Sequence, residues 1–211
     1  MQVLTCSIWG IRCYFASVNM NASTIPSSIR EKIILGIDPG SNIMGYAVLC
    51  QRGSEVSLLT YGIERFSSAD EHLLRVKQIY ERTAAIIEKY LPDEMAIEAP
   101  FFGKNIQAML KLGRAQGACI SAALARDIPV TEYAPKKVKQ SVTGKGTATK
   151  EQVAYMMRSL LKIDPEHLTF DATDALAIAL CHHYSKGVQG KAGSKSWGSF
   201  LAENPGRLKV A

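Results

Sequence analysis

From residue 32 onward the hydrophobic positions change period several times, and those changes lay out a fold. Lys32-Ile33-Ile34-Leu35-Gly36-Ile37-Asp38 is an apolar run of strand length that ends on a carboxylate, after which Pro39-Gly40 turns the backbone. Met44 to Leu49 reads as a second strand, Gln51 to Ser54 as a turn, and Glu55 to Phe66 as a third strand rich in β-branched and aromatic residues. Short turns between the three imply an antiparallel meander. The period then becomes helical: Leu73, Leu74, Val76, Ile79, Ala84, Ile87 and Leu91 share a face from about Ala69 to Tyr90. Met95-Ala96-Ile97-Glu98 is a short apolar strand that again closes on an acid. A helix over 104–126, a strand over 129–133, a short helix over 134–142 and a polar Gly/Thr loop over 143–149 follow. Helices over 150–161 and 171–185 complete the order. The predicted fold class is α/β, ordered βββαβαβ and then helices. Its five-stranded mixed sheet has three antiparallel meander strands plus parallel strands reached by crossovers, with helices on its flanks.

The flanks of this pattern have none. Residues 1–30 carry Trp9, Tyr14 and Phe15 without a period, and Arg12 interrupts them before an apolar core of signal-peptide length can form. They read as a disordered N-terminal extension, with a mis-assigned start or a cleaved targeting peptide as the alternatives. Residues 187–211 shift to Gly, Ser and Lys and read as a flexible basic tail, leaving 31–186 as one domain. With 211 residues, 47% hydrophobic and 21% charged, the chain has enough material for one globular core. No apolar run reaches the length of a membrane span. The cysteines Cys6, Cys13, Cys50, Cys119 and Cys181 are odd in number and widely spaced, which suggests neither a disulfide framework nor a zinc module. Cys119 and Cys181 fall in apolar helical patterns and are expected in the core. This usage predicts a reducing, cytoplasmic location.

Four acids stand out by position. Asp38 and Glu98 end apolar strands, and Asp171 and Asp174 lie three residues apart at the start of the otherwise apolar last helix. Singly, such acids are caps, dipole complements or strand ends. Together they fit one rim of one sheet. Clustered carboxylates raise each other's pKa unless a cation neutralises them, and hard oxygen ligands favour Mg²⁺ or Mn²⁺ over zinc. The set suits a pair of ions in phosphoryl transfer.

Ile-Asp-Pro-Gly, Ile-Glu-Ala-Pro-Phe and Asp-Ala-Thr-Asp-Ala-Leu, in that order and spacing, resemble the RuvC Holliday-junction resolvases of the RNase H-like superfamily. The resemblance runs from about Ile33 to Tyr184. It includes Leu110 to Gly117, Tyr133 to Gln140 and Ala179 to His183. It implies an RNase H-like fold and endonuclease activity on four-way junction DNA. It also implies Asp38, Glu98, Asp171 and Asp174 as catalytic metal ligands, with Mg²⁺ or Mn²⁺ bound as two ions per subunit. It further implies 3′-hydroxyl and 5′-phosphate products, a homodimer built partly through the helix carrying Gly113 and Gly117, partnership with the RuvA–RuvB branch-migration complex and no membrane. Phe101 takes the family's base-stacking position and Phe102 does not. Lys139 and Lys150 match basic residues near the family's active site.

Charge adds a DNA surface. Lys104, Lys136, Lys137, Lys139, Lys145 and Lys150 are the candidate DNA-binding lysines, the later ones set in a Gly-containing loop suited to a phosphate backbone. Lys111 and Arg126 read as members of a solvated helix face. His182 and His183, after the last apolar stretch, are expected at a cap or surface. The alternatives are an actin-like ATPase, a junction binder without catalysis, and an RNase H-like nuclease acting on RNA or simple duplex. The first needs two copies of the fold, and no Walker loop is present.

Overall fold

A computed structural model of the chain describes residues 31–100, 105–164 and 168–187. It opens on the meander β1 (Glu31–Asp38), β2 (Ile43–Arg52) and β3 (Glu55–Arg65). Then come α1 (His72–Tyr90), β4 (Glu94–Glu98), α2 (Ile106–Leu124), β5 (Val130–Tyr133), α3 (Pro135–Thr143), α4 (Lys150–Leu161) and α5 (Phe170–Gly187). The strands form one sheet in the order β3-β2-β1-β4-β5. β2 is antiparallel to β1 and β3, while β4 lies parallel to β1 and β5 parallel to β4. This is the mixed sheet that the periodicity predicts. Segments 1–30 and 188–211, with their expected extension and tail, lie outside the described residues, as does the loop over 101–104.

Alternation along β1 and β4 sorts their side chains between two layers. Leu35, Ile37, Met95 and Ile97 face α1 and α2, where Ile79, Ile87, Ala115 and Cys119 close one core. Ile34 and Ala96 face the other layer, with Val138 of α3, Met157 of α4 and the apolar run of α5. Among the helices α5 is buried most completely: each residue from Ala175 to Cys181 is at most 1% exposed. It lies directly on the sheet because two strand glycines leave it room. A Cβ at Gly36 would stand 2.4 Å from the Ala175 carbonyl oxygen, and one at Gly45 only 2.1 Å from that of Asp171.

Cys119 and Cys181 are buried as expected. His182 and His183 are not at a cap or surface; both are buried, at 1% and 8% exposure. His182 lies within a polar chain under α5. Its Nε2 meets Glu94 Oε2 at 2.7 Å, its Nδ1 meets the Tyr133 hydroxyl at 2.9 Å, and Lys32 donates to the other Glu94 oxygen at 2.7 Å. The helix simply stays buried one turn further than its apolar run indicates.

Candidate active site

The parallel pairing of β1 and β4 sets Asp38 beside Glu98, because Ile37 and Ile97 are register partners. Both acids take the face opposite Ile37 and Ile97, which is the face that α5 covers. The amino end of α5 crosses the same rim. Thr169 holds its first turn, its Oγ1 accepting from the Ala172 N–H at 3.4 Å. Gly45, the register partner of Asp38, is where the Asp171 backbone comes closest. Asp38, Glu98, Asp171 and Asp174 are thereby gathered at one edge of the sheet, all half-buried.

Their electrostatics are those of an unneutralised cluster. Burial pushes the Asp38 pKa up to about 8, helped by Glu98, Asp174 and Asp171 and opposed by Lys150. Burial, then Asp174, carries Glu98 up to about 7 against Lys150 and Lys139. Asp174 is raised too, chiefly by burial, with Lys150 as the main opposing charge. The Lys150 ammonium stands 3.6 Å from the Asp174 carboxylate. Among the described residues no three His, Cys, Asp or Glu side chains already converge on one metal-sized point. Even so, the donor set is all hard oxygen and the local charge calls for a cation, so the residues fit a divalent ion in charge and in chemistry.

Two clefts meet at Asp38 and Glu98. One, of about 370 Å³, runs toward Lys139, Lys150 and Asp174 on the α5 side. The other, of about 100 Å³, runs past Pro39 and Pro100 to Leu112 and Gln116 of α2. Of the expected DNA-binding lysines, Lys139 and Lys150 line the first cleft. Lys136 and Lys137 are exposed and line neither. Lys145 borders a separate groove with Thr143, Gln152 and Tyr155. Phe101 and Lys104 lie outside the described residues. α4 is presented to the rim by a capping box in which Thr149 accepts from Gln152 N–H, fixing the turn that carries Lys150.

Two contributions escape a reading of the sequence alone. Gly36 and Gly45 set the distance between sheet and α5, and an isolated glycine inside a strand pattern is the signal that points to close backbone approach. Gln116 is buried and bridges the Glu98 carbonyl at 3.2 Å and the Glu132 carboxylate at 2.7 Å, steadying the end of β4. Nothing in a single sequence marks that pairing. A Cβ at Gly113 or Gly117, in contrast, would meet nothing within 4 Å, so neither glycine packs on the sheet.

Comparisons with known proteins show the family. The family described as crossover junction endodeoxyribonuclease RuvC matches residues 34–182. A crossover junction endodeoxyribonuclease RuvC of Bacteroides fragilis is 53% identical over 185 residues, covering 86% of this chain and 98% of its own. That of Cytophaga hutchinsonii is 48% identical over 193 residues, covering 92% and 94%. Among solved structures, T. thermophilus RuvC in complex with Holliday junction substrate superposes with a TM-score of 0.70 at 33% identity, covering 75% of this chain and 96% of that one. The chain belongs to the RuvC family of crossover junction endodeoxyribonucleases.

Proposed function

We propose that this protein is a Holliday-junction resolvase, an endonuclease that makes paired, symmetric nicks in four-way DNA junctions during recombination and repair. In this reading Asp38, Glu98, Asp171 and Asp174 hold the catalytic metal ions. The observation that carries it is the meeting of four acids from β1, β4 and α5 at one sheet edge, with Asp38 and Glu98 raised to about 8 and about 7 and lysines alongside. Mg²⁺ or Mn²⁺, as two ions per subunit, would supply an activated water and a charge on the leaving oxygen.

The chain's own residues do the rest. Asp38 and Glu98 stand where both clefts meet, within reach of a strand entering from either side. Lys150 is within an ion pair of Asp174 and, with Lys139, offers positive charge to the scissile phosphate as charge develops there. Lys136, Lys137 and Lys145 extend the basic surface along the DNA backbone. Phe101 takes the base-stacking role near the crossover, and Lys104 a DNA-binding one. Hydrolysis leaves 3′-hydroxyl and 5′-phosphate ends. The working unit is a homodimer through the exposed apolar side of α2, in the cytoplasm, supplied with junctions by a RuvA–RuvB branch-migration complex. Among the described residues no helix is long and apolar enough to cross a membrane.

The test is nicking of a synthetic four-way junction against a linear duplex of the same sequence, in Mg²⁺ and in EDTA. Junction-selective, metal-dependent nicks in pairs of strands are expected. Equal cutting of the duplex, or cutting in EDTA, overturns the reading.

A further inference from the structure

The lysines beside the carboxylates lie on one face of the sheet, yet a duplex arm crossing the rim has backbone on both sides of the scissile bond. On the other face, α1 begins at the same rim. Arg75, 8% exposed, hydrogen-bonds through a guanidinium NH to the Asn42 side-chain oxygen in the turn that follows Asp38. That turn is pinned a second time, since the Phe66 N–H donates to the Asn42 carbonyl at 2.8 Å. Arg75 Nε has no partner, and neither ring nitrogen of His72, one turn earlier, has one. A buried polar atom left in this way carries a desolvation cost that a ligand oxygen would relieve. No side chain caps the amino end of α1 by hydrogen bond, so its first N–H groups remain free donors, although the N-cap residue is itself an acid, Glu71.

α2 supplies the rest of the patch. Lys111 and Arg114 are exposed, three residues apart on one face of α2. They bear on His72: its pKa is lowered by burial first, then by Arg114, Arg75 and Lys111. Leu112 and Gln116, on the neighbouring face of α2, line the smaller cleft that opens onto Asp38. None of these cations lines that cleft; what ties them to the rim is Arg75, which reaches Asn42 in the turn after Asp38.

We propose that His72, Lys111 and Arg114, backed by the buried charge of Arg75, form a second phosphate-binding patch that takes the DNA backbone on the far side of the scissile phosphate. The inference rests on the proposed action on junction DNA. Phosphate contacts fix register and carry no sequence information, so the patch positions the strand over Asp38 without selecting its bases.

The experiment measures junction binding in EDTA as a function of salt. Each lost phosphate contact lowers the slope of log K against log[salt] by about 0.9. The double variant Lys111→Gln/Arg114→Gln should lower it by about 2 and weaken binding at low salt by about tenfold or more, with an unchanged Tm. His72→Ala should weaken binding with Tm held. The control pair Arg52→Gln/Lys89→Gln removes the same charge from the opposite rim and should leave the slope alone. An unchanged slope in the first pair, or an equal drop in the control pair, overturns the patch while wild-type binding stands. Failure of wild type itself to bind the junction overturns the function as well.

Discussion

Asp38 sits where its charge is hardest to hold, and that has a consequence for the protein without metal. Its pKa is up at about 8 and that of Glu98 at about 7, against ordinary values of 3.8 and 4.5. Between those limits the folded state binds more protons than the unfolded one, so stability falls as pH rises. The contribution is complete below the unfolded values and is lost as pH passes through the folded ones. Thermal unfolding in EDTA should give a Tm that declines from about pH 5 to about pH 8.5, and divalent ion should restore it most at the high end. A metal-free Tm that climbs over that range would contradict the clustering. Asp38→Asn removes the most strained charge while keeping its shape. It should abolish nicking, retain junction binding in gel shift, and raise the metal-free Tm at about pH 8. Loss of binding together with nicking would instead make Asp38 a residue of the fold.

At the scale of elements, the site depends on how closely α5 lies on β1 and β2. Gly45→Ala would drive a methyl to 2.1 Å from the Asp171 carbonyl oxygen. Overpacking of this kind costs roughly 1–3 kcal/mol, measurable by urea denaturation. Nicking should fall further than that loss accounts for, because Asp171 and Asp174 move with the helix. The strands, the helices and the two strand-end acids are legible in the sequence because period and polarity change together there: Asp38 and Glu98 each close an apolar run. The helix pair Asp171 and Asp174 is legible as acids opening an apolar helix. His182 and His183 mislead, since a helix buried all round has no polar face to mark its sides. The partners of His182 come from strands far away in sequence, Glu94 and Tyr133, and no local pattern announces them. That chain holds the fold and stands apart from the clefts. Tyr133→Phe should therefore cost roughly 1–3 kcal/mol in unfolding free energy, by removing the hydroxyl that meets His182 Nδ1, and spare the nicking rate per folded molecule.

For the whole molecule the decisive relation is between one site and a substrate of two-fold symmetry. A single rim carries one set of carboxylates, whereas paired symmetric nicks require two sets in a fixed relation. In the proposed dimer a second copy docks beside the rim on the exposed apolar side of α2. Ile106, Leu110 and Leu124 of α2 are 69%, 54% and 56% exposed, and they lie on the side opposite the buried Ala115, Cys119 and Ala122. Gly113 and Gly117 fall in the same stripe and leave their backbone open to close approach. α2 also lines the smaller cleft through Leu112 and Gln116, so a partner seated on the stripe would stand close to the carboxylates. Leu110→Glu places a charge in the centre of that stripe without touching either cleft. Sedimentation should show a dimer for wild type and a monomer for the variant, with an unchanged Tm apart from the loss of association. On a junction carrying a label in each strand, the variant should give single, uncoupled nicks where wild type gives both cuts in one binding event. A variant that stays dimeric and still cuts in pairs would move the interface off α2, while leaving the chemistry at Asp38 intact.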